Sequence, residues 1–137
     1  MSEGKNLQGV SILIVDDDYD FRLQNKLQLE ALGSRVMECE SAQAARELLE
    51  RETPDVVVVD LMMEEEDSGF ALCYYIKQRW PTLPIVLATG VASETGFEFA
   101  TGTVEERAWI KADTVLPKPI RFEQLLGEIK KLLALHG

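Results

Sequence analysis

The chain predicts an α/β fold: a three-layer sandwich in which a five-stranded parallel sheet lies between two layers of helices. Three observations carry this. Strand-like and helix-like segments alternate from end to end, the pattern of a parallel sheet covered on both faces. The run Val56-Val57-Val58-Val59 is apolar at every position, as a strand buried on both sides must be. Four apolar runs also end in residues able to do chemistry. Val10–Val15 ends in Asp16-Asp17-Asp18, the valine run in Asp60, Pro84–Ala88 in Thr89-Gly90, and Thr114–Leu116 in Pro117-Lys118-Pro119. The carboxyl edge of an open α/β sheet is where ligands collect.

The elements follow in order. The first strand is Val10 to Val15. The first helix runs from about Tyr19 to Leu32. Leu23, Leu27 and Ala31 fall four apart on one apolar stripe, and Gly33 is a natural stop. The second strand, Arg35 to Glu38, is short and more polar than the others, which places it at a sheet edge. Ser41 is a good N-cap for a second helix whose Ala42, Ala45, Leu48 and Leu49 share a face. The valine run is the third strand. A third helix starts near Gly69 and buries Leu72, Cys73 and Ile76. Ile85–Ala88 and Thr114–Leu116 are the fourth and fifth strands. The segment Val91 to Ala112, with Gly96, Gly102 and Trp109, predicts one short helix with an irregular lead-in. The last helix, Arg121 to about Leu135, carries Phe122, Leu125, Leu126, Ile129, Leu132 and Leu133 at helical spacing. Right-handed crossovers and an edge position for strand two give the order 2-1-3-4-5. That order sets strands one and three side by side.

A length of 137 residues suits one domain, expected to span 1–137 with its core at about 10–135. Hydrophobic residues at 46% support a real core and argue against disorder. A net charge of −10 argues against nucleic acid or an anionic membrane surface as partners. No apolar stretch approaches the ~20 residues of a membrane span. The polar start, Met1 to Gly9, lacks a signal-peptide core, so a cytoplasmic location is expected. Cys39 and Cys73 lack a metal-binding spacing and read as free thiols, Cys73 in the core. His136 reads as solvated and Trp80 as a packing residue.

Adjacent first and third strands would bring Asp16, Asp17 and Asp60 together. Three close carboxylates repel in a partly dehydrated cleft, so either pKa values rise or a hard divalent cation sits among them. Oxygen-only ligands suit Mg²⁺. Lys118 adds a positive charge and Thr89 a hydroxyl. This set describes a holder for a transferred phosphoryl group, with Asp60 as the nucleophile. Taken singly, an Asp after a strand is more often the N-cap of the next helix, which suits Asp17 or Asp18. The joint occurrence at four strand ends outweighs that reading.

The motifs Ile12-Leu13-Ile14-Val15-Asp16-Asp17, Val59-Asp60-Leu61-Met62-Met63, Leu87-Ala88-Thr89-Gly90 and Leu116-Pro117-Lys118-Pro119 also match a family. The chain resembles the receiver domain of two-component response regulators, of the single-domain, chemotaxis-regulator-like kind with a flavodoxin-like fold, over nearly its whole length. The resemblance implies that Asp60 accepts phosphate from the phosphohistidine of a sensor histidine kinase or histidine phosphotransfer protein. It implies Mg²⁺ on Asp16, Asp17, Asp60 and the backbone carbonyl of Met62, and phosphoryl oxygens on Thr89 and Lys118. It further implies a cis Lys118–Pro119 peptide, and a signalling module, not an enzyme, that acts through a downstream protein target.

Three departures from the family pattern stand out. Glu64 replaces a proline, and Gly69 comes nine residues after Asp60 rather than eight, so Glu64-Glu65-Glu66-Asp67 makes an acidic loop one residue longer. Val115 stands where the family usually has an aromatic switch residue. The stretch from Thr89 to Lys118 is longer than is typical. Output is therefore expected through backbone rearrangement after Thr89 in the Val91 to Ala112 segment.

Other function classes remain at this point. A haloacid-dehalogenase-type phosphatase would need a second acid two residues after the nucleophile, where this chain has Met62. A flavodoxin-like cofactor binder would need a Ser, Thr and Gly-rich loop where Asp16-Asp17-Asp18 stands. A receiver-like module acting without phosphorylation is opposed by the complete set of acids, threonine and lysine.

Overall fold

The computed structural model describes residues 7–61, 68–89 and 112–136. The elements in chain order are β1 (Ser11–Val15), α1 (Tyr19–Ala31), β2 (Arg35–Cys39), α2 (Ala42–Arg51), β3 (Val56–Asp60), α3 (Ser68–Arg79), β4 (Ile85–Thr89), β5 (Thr114–Pro117) and α4 (Phe122–His136). The strands form one parallel sheet of order β2-β1-β3-β4-β5, as the sequence predicts.

Alternation along each strand splits the core between two faces. Leu13, Val15, Val57, Val59, Ile85 and Leu87 point towards α2 and α3, where Ala45, Leu49, Leu72, Cys73 and Ile76 meet them. Ile12, Ile14, Val56, Val58 and Val86 point towards α1 and α4, against Leu29, Leu125, Ile129 and Leu132. Each fully buried aliphatic side chain contributes about 1.5–3 kcal/mol by leaving water. Val115 and Trp80 pack against the first of these clusters. The Trp80 ring meets Tyr75 edge-on at 6.1 Å, which bears out its packing role.

Helix boundaries follow local chemistry. Asp18 caps α1 by accepting from the amides of Asp20 (3.0 Å) and Phe21 (3.3 Å). Ser41 caps α2 by accepting from the Ala44 amide at 3.1 Å. Gly33 ends α1 with φ +100°, a left-handed conformation that glycine adopts without steric cost.

The first helix corrects one expectation. The stripe Leu23, Leu27 and Ala31 does not face the core: Leu27 is 58% exposed, whereas Leu29 is fully buried. The inward face is Phe21, Asn25, Leu29 and Leu32. Asn25 is tolerated there because its side-chain amide donates to the Phe21 carbonyl at 2.8 Å. A polar residue with its hydrogen bond satisfied inside the turn marks the buried face, while Leu27 and Ala31 are exposed and Leu23 is half-buried.

Candidate functional site

Sheet register assembles the site. Val15 lies opposite Val59, so the residues that follow, Asp16 and Asp60, come level at the carboxyl edge. Asp60 lies opposite Ala88, one residue before Thr89, and Thr89 lies opposite Pro117, one residue before Lys118. The ladder continues past β5, since the Lys118 amide donates to the Thr89 carbonyl at 2.7 Å. The Lys118–Pro119 peptide is cis, as the resemblance implies.

The four strand ends therefore converge. Carboxylate oxygens of Asp16, Asp17 and Asp60 lie within 4.8 Å of one another. Asp16 and Asp60 are 1% and 5% exposed, Thr89 is buried, and Asp17 faces solvent. Lys118 Nζ lies 3.0 Å from Asp16 Oδ2 and 3.5 Å from Asp60 Oδ1. Burial alone would lower the Lys118 pKa, but the charges of Asp16 and Asp60 outweigh it and hold the ammonium above its ordinary value. Asp16 Oδ1 accepts from the Asp18 amide at 2.9 Å.

Like charges at this spacing repel by roughly 3 kcal/mol per pair at an effective dielectric of about 20. One ammonium among three carboxylates leaves a formal charge of −2. A divalent cation matches that charge, and a ligand set made only of carboxylate oxygens suits a hard ion such as Mg²⁺. The residues present fit the metal.

Two contributors escaped the sequence reading. The Phe21 ring lies under the Lys118 ammonium, 4.8 Å from Nζ to its centroid. Arg22 donates to the Asp16 carbonyl at 2.7 Å. Neither has a sequence signature, since both depend on how α1 is rotated over the sheet. Met62, the acidic loop Glu64-Glu65-Glu66-Asp67, the Val91–Lys111 stretch with Trp109, and the side chain of His136 lie outside the described residues.

Among the described residues no helix is long and apolar enough to cross a membrane. Both cysteines are free and buried.

Comparison with known proteins bears on this arrangement. A family profile described as response regulator receiver domain matches residues 12–130. The chain is 33% identical over 131 residues to the transcriptional regulatory protein GltR of Pseudomonas aeruginosa, covering 91% of this chain and 49% of that protein. It is 33% identical over 127 residues to the response regulator MprA of Mycolicibacterium vanbaalenii, covering 90% and 50%. The chain thus spans about half the length of these curated relatives. Among solved structures, the Francisella response regulator 1452 receiver domain superposes with a TM-score of 0.78 at 20% identity, covering 94% of this chain and all of that one, a likeness of fold. The BeF3-activated DrrB receiver domain gives 0.72 at 27% identity, covering 91% and 97%.

Proposed function

Because the chain belongs to the response regulator receiver domain family, we propose that it is a phosphorylation-dependent switch with Asp60 as its phosphoacceptor. The observation that carries this reading is the convergence of Asp60, Asp16, Asp17 and Lys118 at one sheet edge. A carboxylate oxygen of Asp60 attacks phosphorus on the phosphohistidine of a sensor kinase or phosphotransfer protein. The P–O bond forms as the P–N bond breaks, and the histidine nitrogen leaves with the electron pair and takes up a proton. Lys118, already within reach of Asp60, exchanges part of its carboxylate contact for a phosphoryl oxygen. The Thr89 hydroxyl, one residue beyond Asp60's neighbour on β4, donates to another. Asp16, Asp17 and Asp60, with the Met62 carbonyl, would hold Mg²⁺. When bound, Mg²⁺ supplies neutralising charge for the phosphoryl oxygens.

In this reading the domain works as a cytoplasmic signalling module that passes its state to a protein partner and is no enzyme in its own right. The test uses acetyl phosphate or beryllofluoride with Mg²⁺. Amide NMR shifts around Asp60 and one phosphate adduct by mass spectrometry are expected. An undiminished adduct on Asp60→Asn would overturn the assignment.

A further inference from the structure

Arg22, on the first turns of α1, is charged yet only 11% exposed. Its guanidinium has three partners. Nη1 donates to the Asp16 carbonyl at 2.7 Å, and Nε donates to Glu38 Oε1 on β2 at 3.1 Å. Its central carbon lies 5.7 Å from the Tyr19 ring centroid. Lys26, one turn further on, pairs with the other oxygen of Glu38 at 3.3 Å. The Asp16 amide in turn donates to the Cys39 carbonyl at 3.1 Å. Both backbone groups of Asp16 are therefore tied to the edge strand, one directly and one through Arg22.

The Asp16 carbonyl belongs to the peptide unit that joins Asp16 to Asp17. Fixing its oxygen fixes the plane of that unit, and with it the direction from which the exposed Asp17 side chain departs. We propose that Arg22 is a positioning residue for divalent metal, locking the Asp16–Asp17 peptide so that the three carboxylates converge. This rests on the reading of Asp16, Asp17 and Asp60 as a metal site.

Charge alone predicts the opposite sign. A cation beside a cation site weakens metal binding, so removing Arg22 purely as a charge would tighten it. Removing it as a geometric lock loosens it. Arginine's planar fork holds two acceptors at fixed angles, which lysine does not reproduce. Removing groups that orient metal ligands typically costs ~10–100-fold in affinity. Since Arg22 acts through a backbone carbonyl, a loss of about tenfold is expected.

The experiment measures Mg²⁺ dissociation constants by amide NMR on the full chain for wild type, Arg22→Ala and Arg22→Lys, at a temperature where circular dichroism shows each folded. The expected result is binding about tenfold weaker in Arg22→Ala and nearly as weak in Arg22→Lys. The Asp17 and Asp18 amides should already be displaced without metal. A merely structural arginine would lower the Tm and leave the dissociation constant alone, and that result overturns the proposal, as does tighter binding. Should Arg22→Ala fail to fold, Arg22→Lys decides alone, with unchanged affinity counting against the lock. A wild type whose amides ignore Mg²⁺ defeats the metal reading itself, and this inference with it.

Discussion

Gly69 is pressed against Asp60. A methyl group on it would lie 2.5 Å from the Asp60 carbonyl oxygen and from Leu61 Cα, and 2.6 Å from the Leu61 carbonyl oxygen. These are backbone atoms of the strand end that carries the proposed phosphoacceptor, so they cannot swing aside as a flexible side chain would. The Gly69 amide donates to the Leu61 carbonyl at 3.3 Å, which seats the start of α3 on the end of β3. Replacing Gly69 with alanine is expected to destabilise the fold by at least the ~1–3 kcal/mol typical of overpacking. Urea unfolding checks the stability. Amide shifts at Asp60 and Leu61 check that the damage reaches the site, and a variant as stable as wild type would show that this seam yields.

On the proposed metal reading, Lys118, at 3.0 Å from Asp16 and 3.5 Å from Asp60, competes with Mg²⁺ for the same carboxylates. Lys118→Met is expected to bind Mg²⁺ several-fold more tightly, since a repelling charge has gone. The same variant leaves buried carboxylates without their cation, so its metal-free form should unfold at a lower temperature. Adding MgCl2 should raise its Tm more than that of wild type. Thermal melts with and without MgCl2 read both effects, and an equal Mg²⁺ increment in the two proteins would refute the competition.

Helix α1 offers a paired test of which face is inside. Leu29 is fully buried and Leu27 is 58% exposed, two positions apart. Leu29→Ala is expected to cost about 2–5 kcal/mol, as a large-to-small change in a packed core does. Leu27→Ala should stay within about 0.5 kcal/mol of wild type. Comparable losses from both, measured by denaturant titration, would contradict the rotation of α1 described here.

Burial pushes the Cys73 thiol up to about 12 from an ordinary 9.0. Between those values the folded protein keeps a proton that the unfolded chain releases. The contribution is therefore complete below pH 9 and declines as pH rises towards 12. Cys39 is raised by burial in the same sense. Urea midpoints should fall from pH 9 upward, with a shallower fall in Cys73→Ala. Thiol reagents at neutral pH should label Cys73 only as fast as the protein unfolds.

The sheet was legible in the sequence because a strand buried on both faces leaves little choice. Val56–Val59 is apolar at every position, and the residue after it must surface at the edge. Strand order followed from the polar character of Arg35–Glu38, and the meeting of Asp16 with Asp60 followed from that order. The rotation of α1 was not legible. Leu23, Leu27 and Ala31 form an unbroken apolar stripe where the inward face is interrupted by Asn25, and only the folded chain reveals that Asn25 satisfies itself against Phe21 within the helix. Phe21 and Arg22 escaped for the same reason, because their reach to Lys118 and to the Asp16 carbonyl exists only once α1 is turned that way.

Lys118 and Asp16 are separated by 102 positions in the chain. At roughly 5–20 residues per second, the ribosome makes the aspartate about 5–20 seconds before the lysine. Asp60 also precedes the lysine, so a nascent chain carries its acids for seconds without the ammonium that balances them. Until β5 arrives, the ends of β1 and β3, flanked by β2 and β4, carry a concentrated negative charge at this edge of the sheet. On the proposed metal reading, divalent cations can supply the counter-charge at that stage, and synthesis in magnesium-poor conditions would leave the half-made domain more exposed to its own repulsion.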